Sequence, residues 1–423
     1  MARDQFDPTP IESRDELVAW FAQGCKPSSD FRIGTEHEKI PFRTGTTRPV
    51  PYEGPDGIGA LLRALETDSG WEPILDGEAI IGLADAKGGG AISLEPGGQF
   101  ELSGASLADL HEGARELDRH LEAVKRLGKA LGISFLSVGV SPLWSREETP
   151  VMPKGRYAIM RAYMPKVGSM GLDMMFRTTT VQVNLDFSSE ADMVRKLQVS
   201  LALQPLATAL FANSPAMDGH STGFLSTRGE IWRHTDADRT GLIPFAFEAG
   251  MGFERYVDWA LDVPMYFVKR GEVYHDVAGA SFRDLMAGRL AALPEQRATL
   301  SDWSNHVSTL FPDVRLKRYL EMRGADAGPP DMLKALPAFW VGLLYDPATL
   351  DAAWQLVKGW SAEDRQALRD AVPRQGLTAL VKGRSLQAVA RDVLALSAQG
   401  LKARGLGEDI YLAPLDAIVA SGQ

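Results

Sequence analysis

In Gly34-Thr35-Glu36-His37-Glu38-Lys39, two glutamates stand one residue apart inside a run, 31–42, that reads as a β-strand. A strand has a side-chain period of two, so Glu36 and Glu38 face one way while His37 faces the other, beside Phe31 and Ile33. Carboxylates held side by side repel each other. A hard divalent cation such as Mg²⁺ between them turns the repulsion into binding, because it prefers oxygen ligands. A metal-dependent enzyme is therefore expected, and His37 is expected to be a satisfied core histidine.

Three further segments repeat this pattern. In Gln99–Ser103, Gln99, Glu101 and Ser103 share one face, and the turn signal Glu95-Pro96-Gly97-Gly98 folds Glu95 back towards Glu101. In Thr178–Phe187, Val181, Val183, Leu185 and Phe187 point one way, and Thr178, Thr180, Gln182, Asn184 and Asp186 point the other. A fourth strand is expected from Val314 to Arg323, with Arg315, Lys317, Tyr319, Glu321 and Arg323 on its polar face. A polar face on one strand alone reads as a water-facing edge. Amide oxygens at Gln182 and Asn184 and five glutamates (Glu36, Glu38, Glu95, Glu101, Glu321) read instead as a lined pocket, which needs divalent cations or must bind protons.

Cations stand opposite these acids. The segment 213–243 has little periodicity, reads as a long functional loop, and carries Arg228, Arg233, His234 and Arg239; Arg177 opens the third strand. Arginine suits two-point capture of carboxylate or phosphate. The segment Ala86-Lys87-Gly88-Gly89-Gly90 lacks P-loop spacing and reads as a hairpin tip, with Lys87 a candidate nucleotide contact. Carboxylate-lined Mg²⁺ sites beside an arginine clamp suit ATP chemistry with an anionic co-substrate.

The remaining features bound the answer. The 423 residues, 45% hydrophobic and 24% charged, suffice for a core without disulfides, and a net charge of −10 argues against a nucleic-acid partner. Cys25 is the single cysteine, so neither an intramolecular disulfide nor a thiolate metal site is available, which fits a reducing cytoplasm. Met1-Ala2-Arg3-Asp4-Gln5-Phe6-Asp7 lacks a signal-peptide core, and no apolar run reaches membrane-spanning length, so a cytoplasmic protein is expected. Helices are expected over 11–24 (Ser13 as N-cap), 56–68, 107–131 and 190–212, a strand over 133–140, and a mainly helical part from about 345, broken near Pro373 and Gly376. No repeat or linker divides the chain, so one catalytic domain, 1–423, is expected.

The segments 31–39, 92–104, 152–157, 176–187, 262–267, 315–326 and 336–346 resemble, in order and over nearly the whole chain, the plant and proteobacterial type of glutamate–cysteine ligase. The resemblance implies ATP-dependent joining of the γ-carboxylate of L-glutamate to the amine of L-cysteine through a γ-glutamyl phosphate, the first step of glutathione synthesis. It implies an α+β fold with a central antiparallel sheet lined with carboxylates and surrounded by helices, as in glutamine synthetase and carboxylate–amine ligases, and a monomer or homodimer. Carried over residue by residue, it implies Glu36, Glu38, Glu95, Glu101, Glu321 and Asn184 as metal ligands, and Gln182 near metal and nucleotide. Arg323 becomes a phosphate contact that acts with Glu38 in catalysis, Arg228 a clamp for glutamate, and Tyr266 part of the cysteine pocket. Arg233, Arg239 and Arg177 are further substrate candidates. Plant members commonly carry cysteine where Thr179 stands, so their redox switching does not carry over to a chain whose one cysteine is Cys25. Another carboxylate–amine ligase, or a non-catalytic glutamate or nucleotide binder, are the competing readings; a panel of amine substrates decides the first, and Mg·ATP binding with no turnover under any amine would support the second.

Overall fold

Alternation of acids with apolar and β-branched residues makes Ile33–Arg43 an eleven-residue strand, β1, and the fold is assembled around it. The computed structural model describes residues 7–422, so the reading of Met1–Asp7 falls almost wholly outside the described residues. The remaining strands of the central sheet are β2 (Glu72–Asp76), β3 (Ala79–Ala84), β4 (Ala91–Leu94), β5 (Phe100–Ser103), β6 (Ile133–Leu136), β7 (Thr180–Leu185), β8 (Val314–Leu316) and β9 (Leu320–Asp326). Their order is β8-β9-β7-β1-β5-β4-β3-β2, with β6 on the distal half of β1, and the pairings are antiparallel. The α+β expectation holds.

The principal helices are α1 (Arg14–Ala22), α2 (Ile58–Ser69), α3 (Leu110–Ala130), α4 (Gly155–Val167), α5 (Glu190–Leu210), α6 (Thr227–Arg233), α7 (Pro330–Leu344) and α8 (Leu386–Arg404). Asp109 and Ser189 cap α3 and α5 by accepting from the backbone N–H groups of Glu112 and Asp192. Ser13 precedes α1 but makes no capping bond; Glu16 reaches back to the Glu12 N–H instead, at 3.2 Å. Val181, Val183 and Leu185 on the back of β7 are fully buried in the core that α5 and α7 complete. Among the described residues no helix is long and apolar enough to cross a membrane.

Three expectations change. The strand expected from Val314 to Arg323 is a hairpin: Lys317 N–H bonds Tyr319 O at 2.8 Å, and Arg315 pairs directly with Glu321. An unbroken polar alternation conceals a turn that contains neither glycine nor proline. The segment 213–243 is not an open loop, because it holds α6, capped by Ser226. Asp326, at the end of β9, fastens it by accepting from Asn213 N–H, Ser214 Oγ and Ser226 Oγ at 2.8, 2.6 and 2.8 Å. Polar pinning of this kind leaves no hydrophobic period to read. The helical C-terminal part begins at Pro330, and its break falls at Gly376, whose φ is +54°, whereas Pro373 lies inside a helix.

Two close approaches yield predictions. A Cβ on Gly400 of α8 would lie 1.9 Å from Gly342 O of α7, so the helices touch backbone to backbone. Gly400→Ala should destabilise the protein by about 1–3 kcal/mol or more, read as a lower urea midpoint. His306, stacked on Phe282 at 4.9 Å, donates Nε2–H to Ala260 O at 2.7 Å, and burial pushes its imidazole down to about 4. The unfolded chain binds the proton from about pH 6.5 downwards while the folded chain refuses it until about pH 4. This site's stability is therefore complete above pH 6.5 and is lost as pH falls, by up to about 3 kcal/mol. His306→Gln should unfold earlier at pH 7 yet lose less stability between pH 7 and pH 4.5 than the parent.

Candidate active site

Pairing across β1 builds one side of the pocket. Glu38 stands opposite Glu101 of β5, and Glu36 lies between Ser103 of β5 and Gln182 of β7. Glu95 arrives through the turn before β5: its N–H bonds Gln99 O at 3.0 Å, and Gly98 takes a φ of +86°, which glycine adopts without steric cost. Gln99 braces the turn, accepting from Gly97 N–H and donating to the carbonyls of Met175 and Thr178. Glu36, Glu38, Glu95 and Glu101 thus line one cavity of about 150 Å³.

Their protonation follows from their surroundings. Burial, then Glu95 and Glu101, pushes the Glu38 carboxyl well above the carboxylate range, although Thr180 N–H donates to it at 3.0 Å. Burial and neighbouring acids likewise raise Glu36 and Glu95. Ser93 and Ser103 hydroxyls donate to the two oxygens of Glu101 at 2.7 and 2.9 Å and favour its ionised form against its burial. One ionised acid among three reluctant ones is an oxygen-only donor set suited to a hard cation. Among the described residues, no three His, Cys, Asp or Glu side chains are gathered tightly enough to hold a metal ion as they stand.

The other end of the cavity is cationic. Lys317, Arg315 and Arg323 line it and converge on Glu321, which lies just behind the lining. Glu321 accepts from Arg315 at 2.6 and 3.0 Å, Arg323 at 2.9 Å and Lys317 at 3.3 Å; burial opposes its ionisation, but these cations hold its carboxyl well below the usual range. It therefore does not offer a free oxygen to a metal, as was expected of it. Asn184 donates to Glu36 at 2.9 Å and keeps a buried Oδ1 with no partner among the described residues. Gln182 Oε1 accepts from Arg323 at 2.8 Å.

Arg228 reaches the cavity from α6. Its Nη2 donates to Arg323 O at 2.9 Å, and its buried Nε lacks a partner among the described residues. Its neighbour Trp232 also lines the cavity, and its buried indole N–H has no partner among the described residues.

Several expected contacts are corrected. Arg177 is buried against Asp173, Asp218 and the Trp144 carbonyl, and Arg233 pairs with Glu230 and Asp370 on the outer side of α6; neither lines the cavity. Arg239 is fully buried, bonded to Asp236, Thr309 O and Pro264 O, and stacked 3.8 Å from the Tyr266 ring centre. Tyr266 is buried with it and bonds Asp236 at 3.3 Å, so the two brace the wall from behind, and Phe267 faces the cavity instead. Lys87 is exposed at the β3–β4 tip, with its N–H on Asp85, and lies outside the lining. His37 is on the back of β1 as expected, but it is not satisfied: neither ring nitrogen has a partner among the described residues. It meets His120 edge-on at 5.4 Å, next to Lys39, whose ammonium burial pulls down to about 7.

Arg156, Tyr157, Trp232 and Phe311 line the cavity without having been singled out. Arg156 and Tyr157 belong to the quoted segment 152–157, and Trp232 follows Arg228 by one helical turn, the spacing at which two side chains share a face. Phe311 carried no such signal; it arrives from just before β8 and packs against Trp232 at 5.8 Å.

The model of glutamate–cysteine ligase family 2 matches residues 32–423. The chloroplastic glutamate–cysteine ligase of Nicotiana tabacum is 54% identical over 410 residues, covering 97% of this chain and 78% of that protein. The chloroplastic ligase A of Oryza sativa subsp. indica is 53% identical over 97% of this chain and 82% of its own. The crystal structure of a glutamate–cysteine ligase from Francisella tularensis in complex with AMP superposes with a TM-score of 0.53 at 12% identity, over 92% of this chain and 82% of that one, and so shares the fold. The expectation of a cytoplasmic protein is corrected here, because these plant relatives are chloroplastic enzymes.

The crowded carboxylates yield a prediction. Glu38→Gln should retain the fold, with an equal or higher Tm because a neutral amide replaces a carboxyl whose ionisation burial and neighbouring acids oppose, while turnover falls by about 100-fold or more, the scale of losing one charge-stabilising group. Near-normal turnover in an ADP-release assay would remove Glu38 from the chemistry.

Proposed function

Because the chain belongs to glutamate–cysteine ligase family 2, we propose that its pocket uses ATP to activate the γ-carboxylate of L-glutamate and passes the acyl group to the amine of L-cysteine. That reaction opens glutathione biosynthesis. The observation that carries the reading is one cavity in which four carboxylates are lined up with Arg156, Arg228, Arg315, Lys317 and Arg323. A carboxylate is a poor acyl donor. Transfer of the γ-phosphoryl group to its oxygen releases ADP and leaves an acyl phosphate. The cysteine nitrogen then bonds to the acyl carbon, loses its proton, and phosphate departs with the former carboxylate oxygen.

In this reading the partnerless Nε of Arg228 and the indole N–H of Trp232 are donors for a carboxylate of glutamate, and both are buried where an unmade bond is costly. Arg323 contacts phosphate, and Gln182, already bonded to it, sets its direction. Glu36, Glu38, Glu95, Glu101 and the partnerless Oδ1 of Asn184 are the oxygens that would hold Mg²⁺, and Glu321 joins them only by exchanging one of its cationic partners. When bound, Mg²⁺ supplies neutralisation and orientation of the phosphates. The whole span 1–423 is taken as one catalytic domain.

A coupled assay should find ADP released only when glutamate, cysteine and Mg²⁺ are all present, with γ-glutamylcysteine as the product by mass spectrometry. Turnover with glutamate and a different amine, and none with cysteine, would overturn the substrate assignment.

A further inference from the structure

The cationic end of the cavity holds more positive charge than the protein itself uses. Arg315, Lys317 and Arg323 share one carboxylate, Glu321, which leaves an excess of two positive charges. The three do not stand equally. Arg315 grips Glu321 with one edge of its guanidinium, and its Nη1 donates to Ser308 O and Leu310 O at 2.6 and 2.9 Å, at the end of the helix Leu300–Ser308. It is a bracket, held at both ends. Arg323 uses Nη1 on Gln182 and Glu321, and its Nε and Nη2 have no partner among the described residues. Lys317, with a side chain 5% exposed, touches Glu321 at 3.3 Å and Tyr319 Oη at 3.4 Å, both long contacts that spend two of its three hydrogens. The hairpin explains how three cations reach one carboxylate: Arg315 comes from β8, Lys317 from the turn and Arg323 from β9.

Resting on the ligase reading above, we propose that Lys317, with Arg323, receives the terminal phosphates of the nucleotide, while Arg315 and Glu321 fix the two cations in place. A compact ammonium suits a phosphate oxygen as a point charge. The excess charge at Lys317 faces Glu36, whereas Arg228, bonded to the Arg323 carbonyl, faces Glu38 and Asp326. The cations thus run along the lining from Lys317 through Arg323 to Arg228, with the phosphates assigned to the first two and the amino acid to the last.

Calorimetry with MgADP, and steady-state kinetics on the full chain, test this with Lys317→Met and Lys317→Arg. Lys317→Met should weaken MgADP binding about tenfold, as expected for losing a hydrogen bond to a charged group. It should raise the KM for ATP similarly while the KM for glutamate stays within about twofold, and Lys317→Arg should recover most of the loss. Unchanged MgADP affinity with only a lower Tm, or a rise confined to the KM for glutamate, would overturn the proposal. If Lys317→Met does not fold, magnesium tripolyphosphate tested on the parent protein decides: competition with ATP supports the assignment, and competition with glutamate instead defeats it. Parent protein that binds MgADP but never forms γ-glutamylcysteine would sink the ligase reading and leave the phosphate assignment standing.

Discussion

Glu38 and Glu101 face each other on neighbouring strands, and like charges directly opposite in a sheet are destabilising. The rest of the site is arranged around that repulsion. Ser93 and Ser103 donate to Glu101 and favour its ionised form; Thr180 N–H steadies Glu38; burial leaves Glu36, Glu38 and Glu95 inclined to hold protons. The sheet tolerates the crowding because its back is stiff, with Val181, Val183 and Leu185 sealed in the core and α7 and α8 in backbone contact at Gly342 and Gly400. A pocket that cannot relax outward retains a standing demand for cations.

The same logic, with the sign reversed, governs the far end of the cavity. Glu321 is saturated by Arg315, Lys317 and Arg323, so a residue that sequence reasoning groups with the acids belongs to the cationic side in the absence of ligands. The protein stores opposite charges side by side in one cleft. A ligand that carries both phosphates and bound metal matches that mixture.

Much of this was legible because strands have a period of two. The faces of Glu36, Glu38, Glu101 and Gln182, and the turn that returns Glu95, follow from local rules alone. The long helices over 110–130 and 190–210 were equally plain. What failed was reading by proximity in the chain. Arg177, Arg233 and Arg239 looked like a clamp because they lie in or near one polar segment, but each is spent on an acid or a carbonyl close by, and only Arg228 turns inward. Tyr266 and Phe267 differ in role because of which of two adjacent side chains faces the cavity, a matter the sequence leaves open. The hairpin at 317–319 escaped because its residues are not turn formers; the ion pair of Arg315 with Glu321, six residues on, closes it across the two strands.

β1 carries opposite chemistries on its two sides: carboxylates towards the cleft, and His37 and Lys39 towards α3. Removing or adding one residue within it would exchange the sides, placing an imidazole and an ammonium among the remaining acids and driving glutamates into an apolar interior. A substitution at Glu36 or Glu38 alters one contact, but a change of length by one residue inverts the whole strand. In this segment the count of residues is a stricter requirement than the identity of any one of them, and insertions are better tolerated at the exposed β3–β4 tip around Lys87.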